Sequence, residues 1–111
     1  MQIVPLKLVT IVAEPVLEHR ITDALRSLGA TGFTITESRG EGSRGMRASD
    51  IPGAGVRIEA VVSAPAAGRI IDHVAETYFR SYAVIAWVTE VSVVRGEKYV
   101  GGPPDRPVDR S

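Results

Sequence analysis

The stretch from Arg39 to Asp50, RGEGSRGMRASD, holds the residues of this chain best suited to chemistry. Gly40, Gly42 and Gly45 admit backbone conformations in which successive N–H groups converge into an anion-binding nest. Ser43 adds a hydroxyl, and Arg44 and Arg47 supply two guanidinium forks three residues apart. Phosphate is the ligand these groups share. The run lacks the GK[ST] ending of a Walker A loop, and its GxGxxG pattern lies between two predicted strands instead of opening a helix. Other chemistries find less support. His19 and His73 fall on different predicted helices outside any HxxH or HExxH spacing, so no metal is expected. Glu14, Glu37, Glu59 and Glu90 lie in or beside predicted strands, where only the folded chain can pair two of them for acid/base work.

Composition narrows the classes further. The chain of 111 residues carries 13 Lys plus Arg against 13 Asp plus Glu, a net charge of zero, which argues against a nucleic-acid binder because phosphate-backbone affinity needs a cationic surplus. The cations are nevertheless uneven: all but Lys7 and Lys98 are arginines, and four of them lie between Arg39 and Arg57 against Glu41 and Asp50. The 44% apolar content suits one globular domain. The absence of cysteine removes disulfides, thiolate metal sites and thiol nucleophiles, and fits a reducing compartment. With neither a signal-peptide pattern at Met1 to Lys7 nor an apolar run of spanning length, a cytoplasmic location is expected.

The elements that must position the loop follow from periodicity. Leu6 to Ala13 reads as a β-branched strand. Pro15 opens a helix whose stripe runs Leu17, Ile21, Ala24, Leu25 and Leu28 before Gly29 at its C-terminal end. Thr31 to Ser38 alternates as a half-buried strand, and Val56 to Ala64 resumes strand character after the loop at about 39–55. Pro65 opens a second helix with Ala67, Ile70, Ile71, Val74, Ala75 and Tyr78 on one stripe; Ala83 to Val94 is a long last strand; and Gly96 to Ser111 shows no periodicity. The order β-α-β-β-α-β predicts an α+β, ferredoxin-like fold, a four-stranded antiparallel sheet with both helices on one face. The first and last strands are apolar on both alternating faces, so the bare side of the sheet predicts a homo-oligomer.

In KLVTIVAE (Lys7 to Glu14), GATGFTI (Gly29 to Ile35), GxGSRxxR (Gly40 to Arg47) and YFRSYA (Tyr78 to Ala83), the chain resembles the PII-like signalling proteins of the SbtB type, small trimeric regulators associated with bicarbonate uptake. The resemblance runs to about Gly102, which implies a PII-like domain over 1–102 and a tail over 103–111. It implies that the loop is a T-loop and that adenine nucleotides (cyclic AMP, AMP, ADP, ATP) bind in clefts between the subunits of a homotrimer. By position, Ser43, Arg44 and Arg47 match phosphate-contacting residues, Gly42 a backbone donor and Glu14 a residue near the ribose. Gly32, Phe33 and Thr34 match the stretch that holds the base, and Ala83, Val84 and Ile85 of a neighbouring subunit complete the cleft.

Two departures stand out. Glu41 replaces a family lysine and should weaken binding of the more highly charged nucleotides, and Val100 to Pro104 replaces the cysteine-bracketed hairpin of some members, so no redox clasp is expected. The expected function is non-enzymatic: a nucleotide sensor whose T-loop regulates a membrane transporter for bicarbonate or other inorganic carbon, and which then sits peripherally at the membrane. Three alternatives stand beside it: a carboxysome-associated sensor of ADP plus bicarbonate, a slow nucleotide hydrolase using a carboxylate such as Glu14 or Glu37, and a CutA-like metal-binding trimer. Two charge-assisted contacts and one or two neutral ones are worth ~4–8 kcal/mol before costs. Ordering the loop costs on the order of 1–2 kcal/mol per residue, so a nucleotide can fix only its first half.

Overall fold

The computed structural model describes residues 2–40 and 54–100. Strand β1 (Ile3–Ala13) leads through a single 3-10 turn (Pro15–Leu17) into α1 (Glu18–Ser27). Then come β2 (Thr34–Arg39), β3 (Ala54–Val62), α2 (Ala64–Tyr78), β4 (Val84–Val94) and a short α3 (Glu97–Val100). The sheet order is β2-β3-β1-β4 with every neighbouring pair antiparallel, the ferredoxin-like arrangement expected from the order of elements.

Register sorts the sheet into two faces. Val9, Ile11 and Ala13 of β1 lie level with Ala60, Ile58 and Val56 of β3 and with Val88, Ala86 and Val84 of β4. The β1 and β3 members of that set are buried under Leu17, Ile21 and Leu25 on one side and Ala66, Ala67, Ile70, Val74 and Tyr78 of α2 on the other. Both helices therefore cover one face. The opposite face carries Leu6, Leu8, Thr10 and Val12 of β1, Arg57, Glu59 and Val61 of β3, and Ile85, Trp87 and Val91 of β4. Neither α1 nor α2 covers it, and Ile85 and Trp87 stay 59% and 39% exposed.

The helix ends show why the boundaries fall where they do. Glu14 is extended and the Leu17 N–H donates to the Glu14 carbonyl at 3.0 Å, so the chain enters through a 3-10 turn and the α-helix starts three residues later than Pro15 alone suggests. At the far end Gly29 has φ +119, and the Ala30 N–H reaches back to the Leu25 carbonyl at 2.9 Å, the 6→1 bond of a Schellman cap. In α2 the Ser63 hydroxyl accepts from the Ala66 N–H at 3.3 Å, with Pro65 in the first turn where its missing N–H is harmless.

Several boundaries differ from the sequence reading: β2 starts at Thr34 rather than Thr31 and is mostly exposed, because it lies at the sheet edge with a partner on one side only. β1 begins at Ile3, because β4 pairs with it as far as Ile3↔Val94. Arg39, Ala54 and Gly55 belong to the β2–β3 ladder rather than to the loop. The segment from Gly96 is not wholly irregular: Arg95 turns the chain at φ +64, and Gly96 packs so closely on Val4 that a Cβ would stand 2.8 Å from the Val4 Cβ. The Thr31 hydroxyl then donates to the Lys98 carbonyl at 2.8 Å. These are contacts across the fold, which local periodicity does not report. The expectations for residues 41–53, which include Gly42, Ser43, Arg44 and Arg47, and for the tail over 103–111 lie outside the described residues.

Ile58, fully buried where β3 meets β1 and β2, is the sharpest probe of this core. Ile58→Ala should lower unfolding stability by about 2–5 kcal/mol, read as a fall in the urea midpoint at fixed protein concentration.

Candidate functional site

Residues 41–53 are flanked by a paired base. Arg39 pairs with Ala54 and Ser38 with Gly55, so the two flanks are held level on adjacent strands. β3 comes so close to β1 here that a Cβ on Gly55 would lie 3.0 Å from the Ala13 carbonyl oxygen. Next along the chain, the Glu14 carboxylate accepts a hydrogen bond from the Ala83 N–H at 2.7 Å. The loop base, the end of β1 and the start of β4 thus meet at one end of the sheet, and Glu14, Ala83, Val84 and Ile85 gather there within a single chain.

The expected base-holding residues lie elsewhere. Thr34 is level with Glu59, and Glu59 with Thr10, in one rung across β2, β3 and β1. Glu14 lies four residues beyond Thr10, about 13 Å along the sheet, and two strands or about 10 Å across it, which puts it roughly 16 Å from Thr34. The sequence reading grouped Glu14 with Gly32, Phe33 and Thr34 and drew Ala83 to Ile85 from a neighbour. Within one chain Glu14 bonds the N–H of Ala83. Gly32 is exposed, and a Cβ there would stand in open space, so no packing among the described residues calls for a glycine. Phe33 precedes β2 and is half-buried against the core, with the Arg26 guanidinium 5.0 Å over its ring and Arg26 itself 3.0 Å from Asp23.

The four strand glutamates go to four separate places. Glu14 holds Ala83. Glu59 accepts from the Thr10 hydroxyl at 3.4 Å and lies 3.5 Å from Arg57, whose guanidinium stands 5.6 Å over the Trp87 ring. Glu90 pairs with Lys7 at 2.7 Å, and that hydrogen bond and positive charge hold its carboxyl below the usual carboxylate range. Glu37 lines an open cleft of about 520 Å³ between the free edge of β2 and Pro15 and Glu18. Two carboxylates against the single guanidinium of Arg39 make that cleft a poor receptor for phosphate. His73 packs edge-on to Tyr78, and among the described residues no three His, Asp or Glu side chains group as metal ligands.

Thr10 and Glu59 were missed as a pair in the sequence reading. A threonine within a β-branched strand carries no local signal, yet Thr10 is fully buried on the uncovered face of the sheet, between Glu59 and Trp87. The loop base carries its own prediction. Gly55→Val should push β3 away from the Ala13 carbonyl and cost about 1–3 kcal/mol in thermal or urea unfolding.

Comparison with known proteins agrees with this architecture. The family model for nitrogen regulatory protein P-II matches residues 6–98. A PII-like signalling protein from Thermus thermophilus superposes with a TM-score of 0.78 at 57% identity, over 90% of this chain and 100% of that one. The structure of CPII from Thiomonas intermedia K12 bound to ADP and bicarbonate gives a TM-score of 0.75 at 28% identity, over 88% and 97% of the two chains. GlnK of B. subtilis in its ATP complex shares the fold at 19% identity and a TM-score of 0.62, over 78% and 82%. A family match over most of the chain and a solved relative at more than half identity place this chain in the nitrogen regulatory protein P-II family.

Proposed function

We propose that the chain is a non-enzymatic, cytoplasmic sensor: a homotrimer that takes an adenine nucleotide at each cleft between subunits and signals through the loop spanning 40–53. The observation that carries this reading is the division of the site across the sheet. Gly32 to Thr34 lie at the β2 edge and Ala83 to Ile85 at the β4 edge, and β3 and β1 separate the two edges. One small ligand touches both stretches only if two copies bring opposite edges together. The uncovered apolar face around Leu8, Val12, Ile85 and Trp87 supplies the reason for copies to associate.

The loop contributes the phosphate chemistry in this reading, through Gly42, Ser43, Arg44 and Arg47, anchored at Arg39↔Ala54. A ligand that orders one half of such a loop shifts its population between partner-competent and incompetent forms. The regulated partner in this reading is a membrane transporter for bicarbonate or other inorganic carbon, as in the SbtB type. A second reading is favoured by the solved relative that holds both ADP and bicarbonate: a carboxysome-linked sensor in which bicarbonate joins ADP at the site. The hydrolase reading gains little, since Glu14 is engaged by a backbone N–H and Glu37 faces an open cleft with a second carboxylate.

Calorimetric titration with cyclic AMP, AMP, ADP and ATP tests the sensor. Binding is expected at one site per subunit, and no heat with any of the four overturns it. Arg44→Ala and Arg47→Ala should each weaken binding about 10- to 100-fold, the worth of one charge-assisted contact, while the trimer mass read by light scattering stays unchanged. Bicarbonate present throughout the ADP titration separates the two readings: tighter ADP binding supports the bicarbonate-linked sensor, and unchanged affinity the nucleotide-only one. Multiple turnovers of ATP, lost on Glu14→Gln or Glu37→Gln, would instead establish the hydrolase.

A further inference from the structure

Glu14 does less for its own neighbourhood in the chain than its position invites. It stands at the N-cap of the 3-10 turn and precedes a proline, where a side-chain oxygen commonly accepts from the next turn's N–H groups, yet it makes no such bond. Its carboxylate turns across the sheet to the N–H of Ala83, 69 residues away. That N–H has a particular standing. In the turn after α2, the Ser81 and Tyr82 N–H groups both donate to the Tyr78 carbonyl, at 3.1 and 2.9 Å. Ala83 is the first residue after them and stands just before the β1–β4 ladder, whose last rung is Ala13↔Val84. The donor at the junction between turn and strand is therefore held by a side chain, and that side chain comes from the residue beside the loop base.

We infer that Glu14 is a positioning residue: it acts on the ligand through Ala83, fixing the turn at 79–83 and the start of β4 against the loop base, and does not itself touch the ribose. The inference rests on the nucleotide-binding reading above. The geometry of that bond favours action through Ala83 over direct contact. The bond is short and charge-assisted, which fixes the direction of the carboxylate toward β4. Rigidity at this point matters because Gly55 already abuts the Ala13 carbonyl, so a displacement of the Ala13–Glu14 corner is transmitted to both the loop return and β4.

The test uses the full chain with two substitutions, Glu14→Gln, which keeps an acceptor oxygen, and Glu14→Ala, which removes it. Amide hydrogen exchange at Ala83 and calorimetric affinity for ADP and for 2′,3′-dideoxy-ADP are the readouts. Exchange at Ala83 should speed up about tenfold or more in Glu14→Ala and stay within about threefold of wild type in Glu14→Gln. Glu14→Ala should lose about tenfold in affinity for ADP and the same factor for the dideoxy nucleotide, with Glu14→Gln restoring most of it. A loss that vanishes with the dideoxy nucleotide means direct ribose contact and overturns the inference, as does unchanged Ala83 exchange in Glu14→Ala. If wild type binds neither nucleotide, the sensor reading fails on its own, and the exchange measurement still decides whether Glu14 holds Ala83.

Discussion

Everything in this fold depends on β1 being hydrogen-bonded along both edges. It pairs with β3 from Lys7 to Ala13 and with β4 from Ile3 to Ala13, so each residue of its second half lies in two ladders at once. A strand so placed has no free backbone donors to satisfy and no freedom of register, since a slip of one residue would carry Val9 and Ile11 to the uncovered face. The helices can then pack on one side only. The Ala13–Glu14 corner, where β1 stops, becomes the point against which the loop base, the 3-10 turn and the start of β4 are all set.

The same constraint creates the unfinished face. A strand apolar on both sides suits a sheet covered on both sides, but the two helices cover one. The uncovered side is not uniformly apolar. Thr10 lies buried at its centre with Glu59, and Arg57 lies across Trp87 beside it. A polar cluster set in an apolar surface favours one arrangement of a partner over others, because burying it in a wrong register would leave Glu59 or Arg57 unpaired. This is the surface available to the proposed trimer, and the expected site residues Gly32–Thr34 and Ala83–Ile85 lie on opposite edges of the same sheet.

Much of the fold was legible in the sequence because helices and strands advertise themselves locally. Leu17, Ile21 and Leu25 at intervals of four, Gly29 as the helix stop and Pro65 in the first turn of α2 each reflect a backbone requirement met within a few residues. The strand character read along Val56 to Val62 held for the same reason. The short α3 was not legible, since it depends on Gly96 against Val4 and on Thr31 reaching Lys98, contacts between opposite ends of the chain that leave no period.

By itself the sequence determined the order of elements, hence the ferredoxin-like sheet, and the residue types of the loop, hence an expected affinity for phosphate in place of metal or nucleic acid. Those are properties of composition and of spacing within a dozen residues. Tertiary structure alone decided which residues share a place. It put Glu14 on Ala83, Glu59 beside Thr10 and Arg57, and Glu37 in a cleft with Glu18, and it set the two halves of the expected site on opposite edges of the sheet. Such pairings are fixed by strand register, a relation between segments far apart in the chain, and register emerges only when β1, β3 and β4 are hydrogen-bonded together.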